Sequence, residues 1–272
     1  MTTVDRDHIV AALDEVWDGL ANLAADLAAD DWHRPTACPG WTVKDQYAHV
    51  LGTEASLTGA PTPEVALPAG LSHVRNDMGL FNETWIEHYR PRPVPDLLAD
   101  LGEALITRRA ALATMDQAAF DEPAETPAGP DTYGRLMRVR VMDQWFHEQD
   151  VREATGHPGG LEGLVPQVVL DEVTAALGYA VGKKAGVGAG ASVRFELTGP
   201  IARRIDVEVT DRARVVDGLR GTPTVTLTLP GDRFLRIAGG RLGDADPVDG
   251  SVEISGDRAL GEQVLRGMAY MI

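Results

Sequence analysis

Hydrophobic residues in the first half of the chain recur every three or four positions, which is the spacing of an amphipathic helix. The first such run predicts a helix and consists of Ile9, Leu13, Val16, Leu20, Leu23 and Leu27. Four further helices are predicted over residues 43–57, 74–89, 95–115 and 133–155. Short connections between long helices favour a bundle, so this half predicts an antiparallel four-helix bundle with one extra helix.

The boundaries of these helices carry their own signals. Thr42, followed three residues later by Asp45, predicts an N-terminal cap for the second helix. The proline-rich stretches 61–70 and 120–130 are predicted to be loops. The run from Gly156 to Gly160 contains three glycines and a proline, and it predicts a break between domains.

The hydrophobic rhythm changes after this break. Residues 164–184 predict one more helix, and alternating or β-branched runs then predict strands over 192–197, 204–209, 214–216, 222–229 and 251–254. Short helices are predicted over 230–238 and 259–268. The predicted fold class is therefore α followed by α+β. We expect a helical domain over residues 1–157 and a small α+β domain over residues 158–272.

Composition narrows the classes of function. The 272 residues carry a formal net charge of −16, which argues against binding to nucleic acid or to anionic membranes. No apolar run reaches the roughly 18 residues that a transmembrane helix needs, and no signal peptide is visible. Cys38 is the single cysteine, so no disulfide within the chain is expected. These features predict a cytoplasmic protein.

The helix over 133–155 is apolar around most of its circumference, which is typical of a buried helix. One narrow stripe is polar and consists of Arg140, Asp143, His147 and Asp150. Charged groups in a buried setting are costly unless they are paired or bind a metal. The stripe therefore requires partners.

Asp143 and His147 lie four residues apart, so a carboxylate and an imidazole point toward a common position on the helix. This spacing fits half of a divalent-metal site, and it also fits a simple ion pair. Arg140 and Asp150 are candidates to orient metal ligands, since a metal-bound imidazole usually donates its other N–H to an acceptor. His49 is the candidate third ligand, although its position opposite the apolar face of its helix favours a solvated histidine.

Two segments resemble a known family. Residues 37–49, ACPGWTVKDQYAH, are similar to the start of the second helix in DinB-like proteins of the mycothiol-dependent maleylpyruvate isomerase family. Residues 142–159, MDQWFHEQDVREATGHPG, resemble the last bundle helix and exit turn of that family. The segments PTVTLTLP at 223–230 and GSVEISGD at 250–257 resemble a sterol-carrier-like domain.

The resemblance implies three metal ligands, which match His49, Asp143 and His147. The family enzyme has glutamate at the carboxylate position, so Asp143 is one methylene shorter. Zinc is the expected ion, with nickel and iron as alternatives, and mycothiol is the implied co-substrate. No catalytic residue is expected beyond the ligands. Cys38 is predicted to be a structural thiol.

The implied activity is that of a metal- and thiol-dependent isomerase or S-transferase acting on a small electrophile. Two alternatives are a non-catalytic metal- or ligand-binding protein and a metal-dependent hydrolase. The expected partners are the small electrophile and a low-molecular-weight thiol in an actinobacterial cytoplasm. The protein is expected to be a monomer or homodimer.

Overall fold

The computed structural model describes residues 1–271, and the chain forms two compact units, Met1–Gly160 and Leu161–Ile272. The first unit is mainly helical and the second contains the main sheet, which confirms the predicted order of α followed by α+β. The domain assignment 1–157 and 158–272 stays a proposal, because it also implies that each part folds independently. Within the described residues, no helix is long and apolar enough to cross a membrane.

The first unit contains six α-helices and a small hairpin in its described residues. Their bounds are α1 Arg6–Asp26, α2 Val43–Ser56, α3 Asp77–Tyr89, α4 Val94–Ala113, α5 Gln117–Asp121, β1 Pro123–Thr126, β2 Gly129–Thr132 and α6 Tyr133–Thr155. Helices α1, α6, α2 and α4 pack against one another in a closed ring. This ring is the bundle, and α3 packs on the outside of α2.

Side-chain contacts show that α2 and α6 are antiparallel. His49 contacts Asp143, whereas Glu54, further along α2, accepts a hydrogen bond from Arg140, which lies earlier on α6. Opposite order along the two helices requires opposite directions. Residues on α2 and α6 therefore face each other although they are far apart in the sequence.

Helices α2 and α4 run in the same direction. Lys44, near the start of α2, donates to the carbonyl of Arg92 just before α4, while Glu54 near the end of α2 pairs with Arg108 late in α4. The predicted antiparallel arrangement thus does not hold for this neighbouring pair. The reason is that α3 and its connecting segments return the chain to the end of the bundle where α2 begins.

Two local predictions were tested by the first unit. The capping box is confirmed, because Thr42 accepts from the backbone of Asp45 and the Asp45 carboxylate accepts from the backbone of Thr42. The prediction of a plain loop over 120–130 is wrong. Helix α5 ends at Asp121 and the hairpin β1–β2 follows, with Thr126 paired to Gly129 at the turn.

Gly52 allows close packing between α2 and α3. A methyl group at this position would lie 2.3 Å from Cγ of Trp85, which is a buried residue. We expect Gly52→Ala to lower the free energy of unfolding by about 1–3 kcal/mol, because overpacking outweighs the gain in helix propensity. Urea denaturation measures the change. Gly102→Ala on α4 is the control, since a methyl group there meets nothing within 4 Å, and equal effects of both substitutions would contradict the packing argument.

The second unit is built around a five-stranded sheet of order β5-β4-β3-β6-β7. Strands β3 and β6 are parallel and the other neighbours are antiparallel. The elements are α7 Val165–Tyr179, a π-helical turn Ala180–Lys184, β3 Ser192–Thr198, β4 Arg203–Val209, β5 Ala213–Val216, β6 Val225–Pro230, α8 Gly231–Ala238, β7 Glu253–Gly256 and α9 Arg258–Gly267. These positions agree with the predicted elements to within three residues.

Candidate metal centre

Helices α2 and α6 bring His49, Asp143 and His147 together. His49 Nε2 lies 3.1 Å from Oδ2 of Asp143, and His147 Nε2 lies 3.5 Å from Oδ1 of the same carboxylate. One donor atom from each residue lies within 4.8 Å of the other two. His49 and His147 are each 5% exposed, whereas the side chain of Asp143 is 30% exposed, so the cluster is buried on its histidine side.

The position of His49 corrects the interpretation from periodicity, which favoured a solvated histidine. Helix α2 lies between α3, α4 and α6, and 12 of its 14 residues are buried. A helix enclosed on several sides has no solvated face, so a residue opposite the main apolar stripe is still inside the protein. His49 faces α6 and contributes its ring nitrogen to the cluster.

A buried ionic network holds the Asp143 carboxylate. Arg140 Nη1 donates to Oδ2 of Asp143 at 2.7 Å, and Arg140 Nε donates to Glu54 at 3.1 Å. Glu54 also accepts from Arg108 at 2.8 Å and from Gln144 at 2.7 Å. Glu54 is fully buried, so its charge depends on these donors. Arg140 therefore contacts Asp143, and Glu54 keeps Arg140 in position. That Arg140 orients a metal ligand stays a prediction.

His147 lies between two carboxylates. Its Nε2 atom faces Asp143, whereas its Nδ1 atom lies 3.7 Å from Oδ2 of Asp150. Cys38 Sγ donates to the same Asp150 oxygen at 3.3 Å. Asp150 thus lies beside His147, but 3.7 Å exceeds a normal hydrogen bond, so its role in orienting the imidazole stays a prediction.

A tight turn places Cys38 and Trp41 beside the cluster. The amide of Trp41 donates to the carbonyl of Cys38 at 3.1 Å, with Pro39 and Gly40 between them. Gly40 has φ 82°, and proline followed by such a glycine is typical of a type II turn. The Trp41 ring lies 5.3 Å from His49 and 5.8 Å from His147 between ring centroids. Trp41 therefore covers the imidazoles.

Glu83 on α3 links this turn to the long connection before α3. Its Oε1 atom accepts from Trp41 Nε1 at 2.6 Å and lies 2.7 Å from His73 Nε2. Glu83 is fully buried, so it fixes the indole that covers the two imidazoles.

The charges of the cluster are coupled. Burial lowers the pKa of His49 below its usual range, and the nearby Asp143 only partly offsets this effect. For His147, burial also acts to lower the pKa, but the Asp143 carboxylate outweighs burial and raises it to about 10. Burial would raise the pKa of Asp143, yet Arg140 and the imidazoles hold it well below its usual range. The side chains alone therefore favour an ionised carboxylate, a protonated His147 and a neutral His49.

These directions predict a pH dependence for protein stripped of metal by a chelator. Because the pKa of His147 is higher in the folded protein, its protonation stabilises the fold, and this contribution is complete below the pKa of an unfolded histidine, about 6.5. That contribution is lost as pH rises toward the folded value of about 10. We expect the free energy of unfolding to decrease more between these pH values in the wild type than in His147→Ala. Urea denaturation in chelator measures both, and parallel pH profiles would contradict the pKa assignment.

The donor set fits a divalent cation. With zinc–ligand bonds of about 2.0–2.1 Å, neighbouring tetrahedral donors lie about 3.3 Å apart. Each imidazole Nε2 lies at a similar distance from one oxygen of Asp143, at 3.1 Å from Oδ2 for His49 and 3.5 Å from Oδ1 for His147. Two imidazoles and a carboxylate are normal ligands for zinc, nickel or iron. Three protein ligands also leave one coordination position for a water or substrate atom.

Comparisons with known proteins assign the chain to a family. Residues 13–152 match the family model described as the mycothiol maleylpyruvate isomerase N-terminal domain, which is more than half of the chain. The chain belongs to this family. The resemblance to this family is thus confirmed, and the matched region includes every proposed metal ligand.

Two solved structures of the mycothiol-dependent maleylpyruvate isomerase, one of them a histidine-to-alanine mutant, are similar to this chain. They give TM-scores of 0.61 and 0.58 at 16% and 17% identity, and each alignment covers 94% of this chain and 96% of the other. At this identity the likeness shows a shared fold. A UbiJ-SCP2 ubiquinone synthesis protein aligns over 38% of the chain at a TM-score of 0.26, which is too low to support an argument.

Curated relatives include two uncharacterized proteins from two strains of Mycobacterium tuberculosis. Each is 31% identical over 160 residues, which corresponds to 56% of this chain. The match spans 58% of the length of each relative.

Two important acidic residues were not anticipated from the sequence. Glu54 follows Tyr47, Val50 and Leu51 on the apolar face of α2, and an acid on such a face is a signal of a buried ionic network. The sequence around Glu83 contains no comparable signal of a buried ionic network. Its partners, Trp41 and His73, come from two loops whose positions depend on the tertiary fold.

Proposed function

We propose that the protein is a thiol-dependent isomerase or S-transferase with a divalent cation held by His49, Asp143 and His147. The observation that supports this proposal best is the group of three donor atoms within 4.8 Å of one another, in a helical unit of the mycothiol maleylpyruvate isomerase family. Mycothiol is the proposed thiol. The proposed substrate is a small electrophile with a double bond or leaving group.

When bound, the cation supplies positive charge that favours the deprotonated, nucleophilic form of a thiol beside it. Zinc is the cation that we propose first, and nickel and iron are alternatives because they bind the same ligand types. In this proposal Cys38 is not the nucleophile, because its thiol donates to Asp150.

Asp143 requires support because it is shorter than the glutamate expected by resemblance. Arg140 supplies this support by donating to Oδ2, so the carboxylate lies between both imidazoles. The buried pairing of Arg140 with Glu54 fixes the guanidinium in turn. The shorter side chain is therefore compatible with the proposed ligand set.

The surrounding residues orient the imidazoles and limit access of water. With Nε2 of His147 used as a ligand, the ring proton lies on Nδ1 and points toward Asp150. Trp41 covers both rings from one side and is held by Glu83. Exclusion of water on that side strengthens the electrostatic interactions of the cluster.

The test is to load chelator-treated protein with zinc or nickel, measure bound metal, and assay mycothiol with maleyl compounds or chlorodinitrobenzene. Stoichiometric metal and turnover that requires both metal and thiol support the proposal. Metal-dependent turnover without thiol would indicate the hydrolase alternative. Bound metal with no turnover across these electrophiles would favour a non-catalytic binding protein, and absence of stoichiometric metal would refute the site.

A further inference from the structure

A second group of possible ligands meets His147 on the opposite edge of its ring. Cys38 Sγ lies 3.3 Å from Asp150 Oδ2, and His147 Nδ1 lies 3.7 Å from the same oxygen. One donor atom from each of the three residues lies within 4.8 Å of the others. A thiolate, a carboxylate and an imidazole form a donor set that binds zinc and softer ions.

An independent observation points to a ligand at this place. The side chain of His147 is only 7% exposed, and its Nδ1 atom is buried without a hydrogen-bond partner. A buried ring nitrogen without a partner is unfavourable, and it is aimed toward Asp150 and Cys38. A cation bound there would satisfy it.

We propose that Cys38, Asp150 and Nδ1 of His147 form a second cation site, suited to a thiophilic divalent ion, which competes with the first site for His147. Cys38 contributes the soft ligand that the first group lacks. Cys38 is also half-buried rather than fully buried, so the group is open to solvent on that side.

The competition follows from the chemistry of the imidazole ring. A neutral imidazole has one nitrogen with a free lone pair and one nitrogen that carries a proton. When Nε2 binds the first cation, the proton on Nδ1 points toward Asp150. When Nδ1 binds the second cation, the proton on Nε2 points toward Asp143, 3.5 Å away. Each carboxylate is thus a ligand in one state and a hydrogen-bond acceptor in the other.

Cadmium is the probe for this site, because a cadmium–thiolate bond gives an ultraviolet charge-transfer band. Cys38 is the single cysteine of the sequence, so any such band reports on this residue. Chelator-treated full-length protein is titrated with Cd²⁺ alone. We expect a thiolate band in the wild type and a stronger band per bound ion in His49→Ala, in which the first site lacks a ligand.

In Cys38→Ser the band disappears, and in His147→Ala we expect Cd²⁺ to bind at least about tenfold more weakly at Cys38. Zinc added first to the wild type is expected to weaken the band, because both ions require His147. Cadmium binding to His49→Ala without a thiolate band would overturn the proposal. A cadmium–thiolate band that is unchanged by His147→Ala or by added zinc would also overturn the proposal, because Cys38 would then bind Cd²⁺ without His147.

A measurement on the wild type avoids dependence on the folding of the variants. We expect iodoacetamide to alkylate Cys38 in the metal-free protein and Cd²⁺ to slow this reaction at least about tenfold, because coordination occupies the sulfur and blocks approach of the alkylating agent. Alkylation at the same rate with and without Cd²⁺ would refute the site. This test measures only metal binding at Cys38. Its result can therefore be interpreted even if the proposed thiol-dependent turnover is not observed.

Discussion

His147→Ala is expected to weaken zinc binding by at least about 100-fold, because loss of groups that merely orient metal ligands already costs about 10–100-fold. The substitution removes the ring that lies between Asp143 and Asp150, so neither carboxylate retains an imidazole partner on α6. Thiol-dependent turnover is expected to decrease at least as much, since the proposed reaction requires the cation. Competition against a chromogenic chelator measures the affinity.

The matched control for this substitution is His8→Ala, which removes an exposed histidine from α1. Its metal affinity and turnover are expected to equal those of the wild type. A second variant, His49→Ala, tests the α2 side of the site and is expected to weaken binding in the same direction. Zinc affinity within about threefold of wild type in His147→Ala, well short of the expected loss, would exclude this residue as a ligand.

Glu54→Ala is expected to lower the free energy of unfolding by about 3–5 kcal/mol, because removal of one partner leaves uncompensated charge in the interior. Both guanidinium groups that contact Glu54, those of Arg108 and Arg140, are buried. Arg140 would keep Asp143 as its partner, whereas the Nε donor of Arg108 would lose its carboxylate. Urea denaturation measures the change.

Asp18→Ala provides the comparison for an exposed ion pair. Asp18 pairs with Arg109 on the bundle surface and is 68% exposed, so its removal is expected to change the free energy of unfolding by less than about 1 kcal/mol. Glu54→Gln retains the shape and one acceptor oxygen, and its effect is expected to lie between those of the other two variants. A small effect of Glu54→Ala would show that the buried charges are screened or rearranged.

The helices were accessible from sequence because their signals are local. The spacing of apolar residues marks α1, and Thr42 with Asp45 marks the beginning of α2. The environment of His49 was not accessible, since it depends on three other helices that enclose α2. Periodicity describes one face of a helix and contains no information on how many neighbours cover the rest.

The candidate site shows the same division. The four-residue spacing of Asp143 and His147 is local, and by itself it favours an ion pair over a metal site. His49 was added by family resemblance, because 94 residues separate it from Asp143. Cys38 was interpreted as structural, and its proximity to Asp150 arises only when the turn before α2 packs against α6.

The wide separation of His49 and Asp143 along the chain has a consequence for the order of folding. Bringing together groups 94 residues apart costs loop entropy that only cooperative packing of the bundle repays. A nascent chain on the ribosome that has exposed α2 but not α6 would therefore hold only one of the three ligands. For the proposed metal site, we therefore expect loading to follow the packing of α6 against α2, and we expect the refolding rate to be independent of the metal concentration.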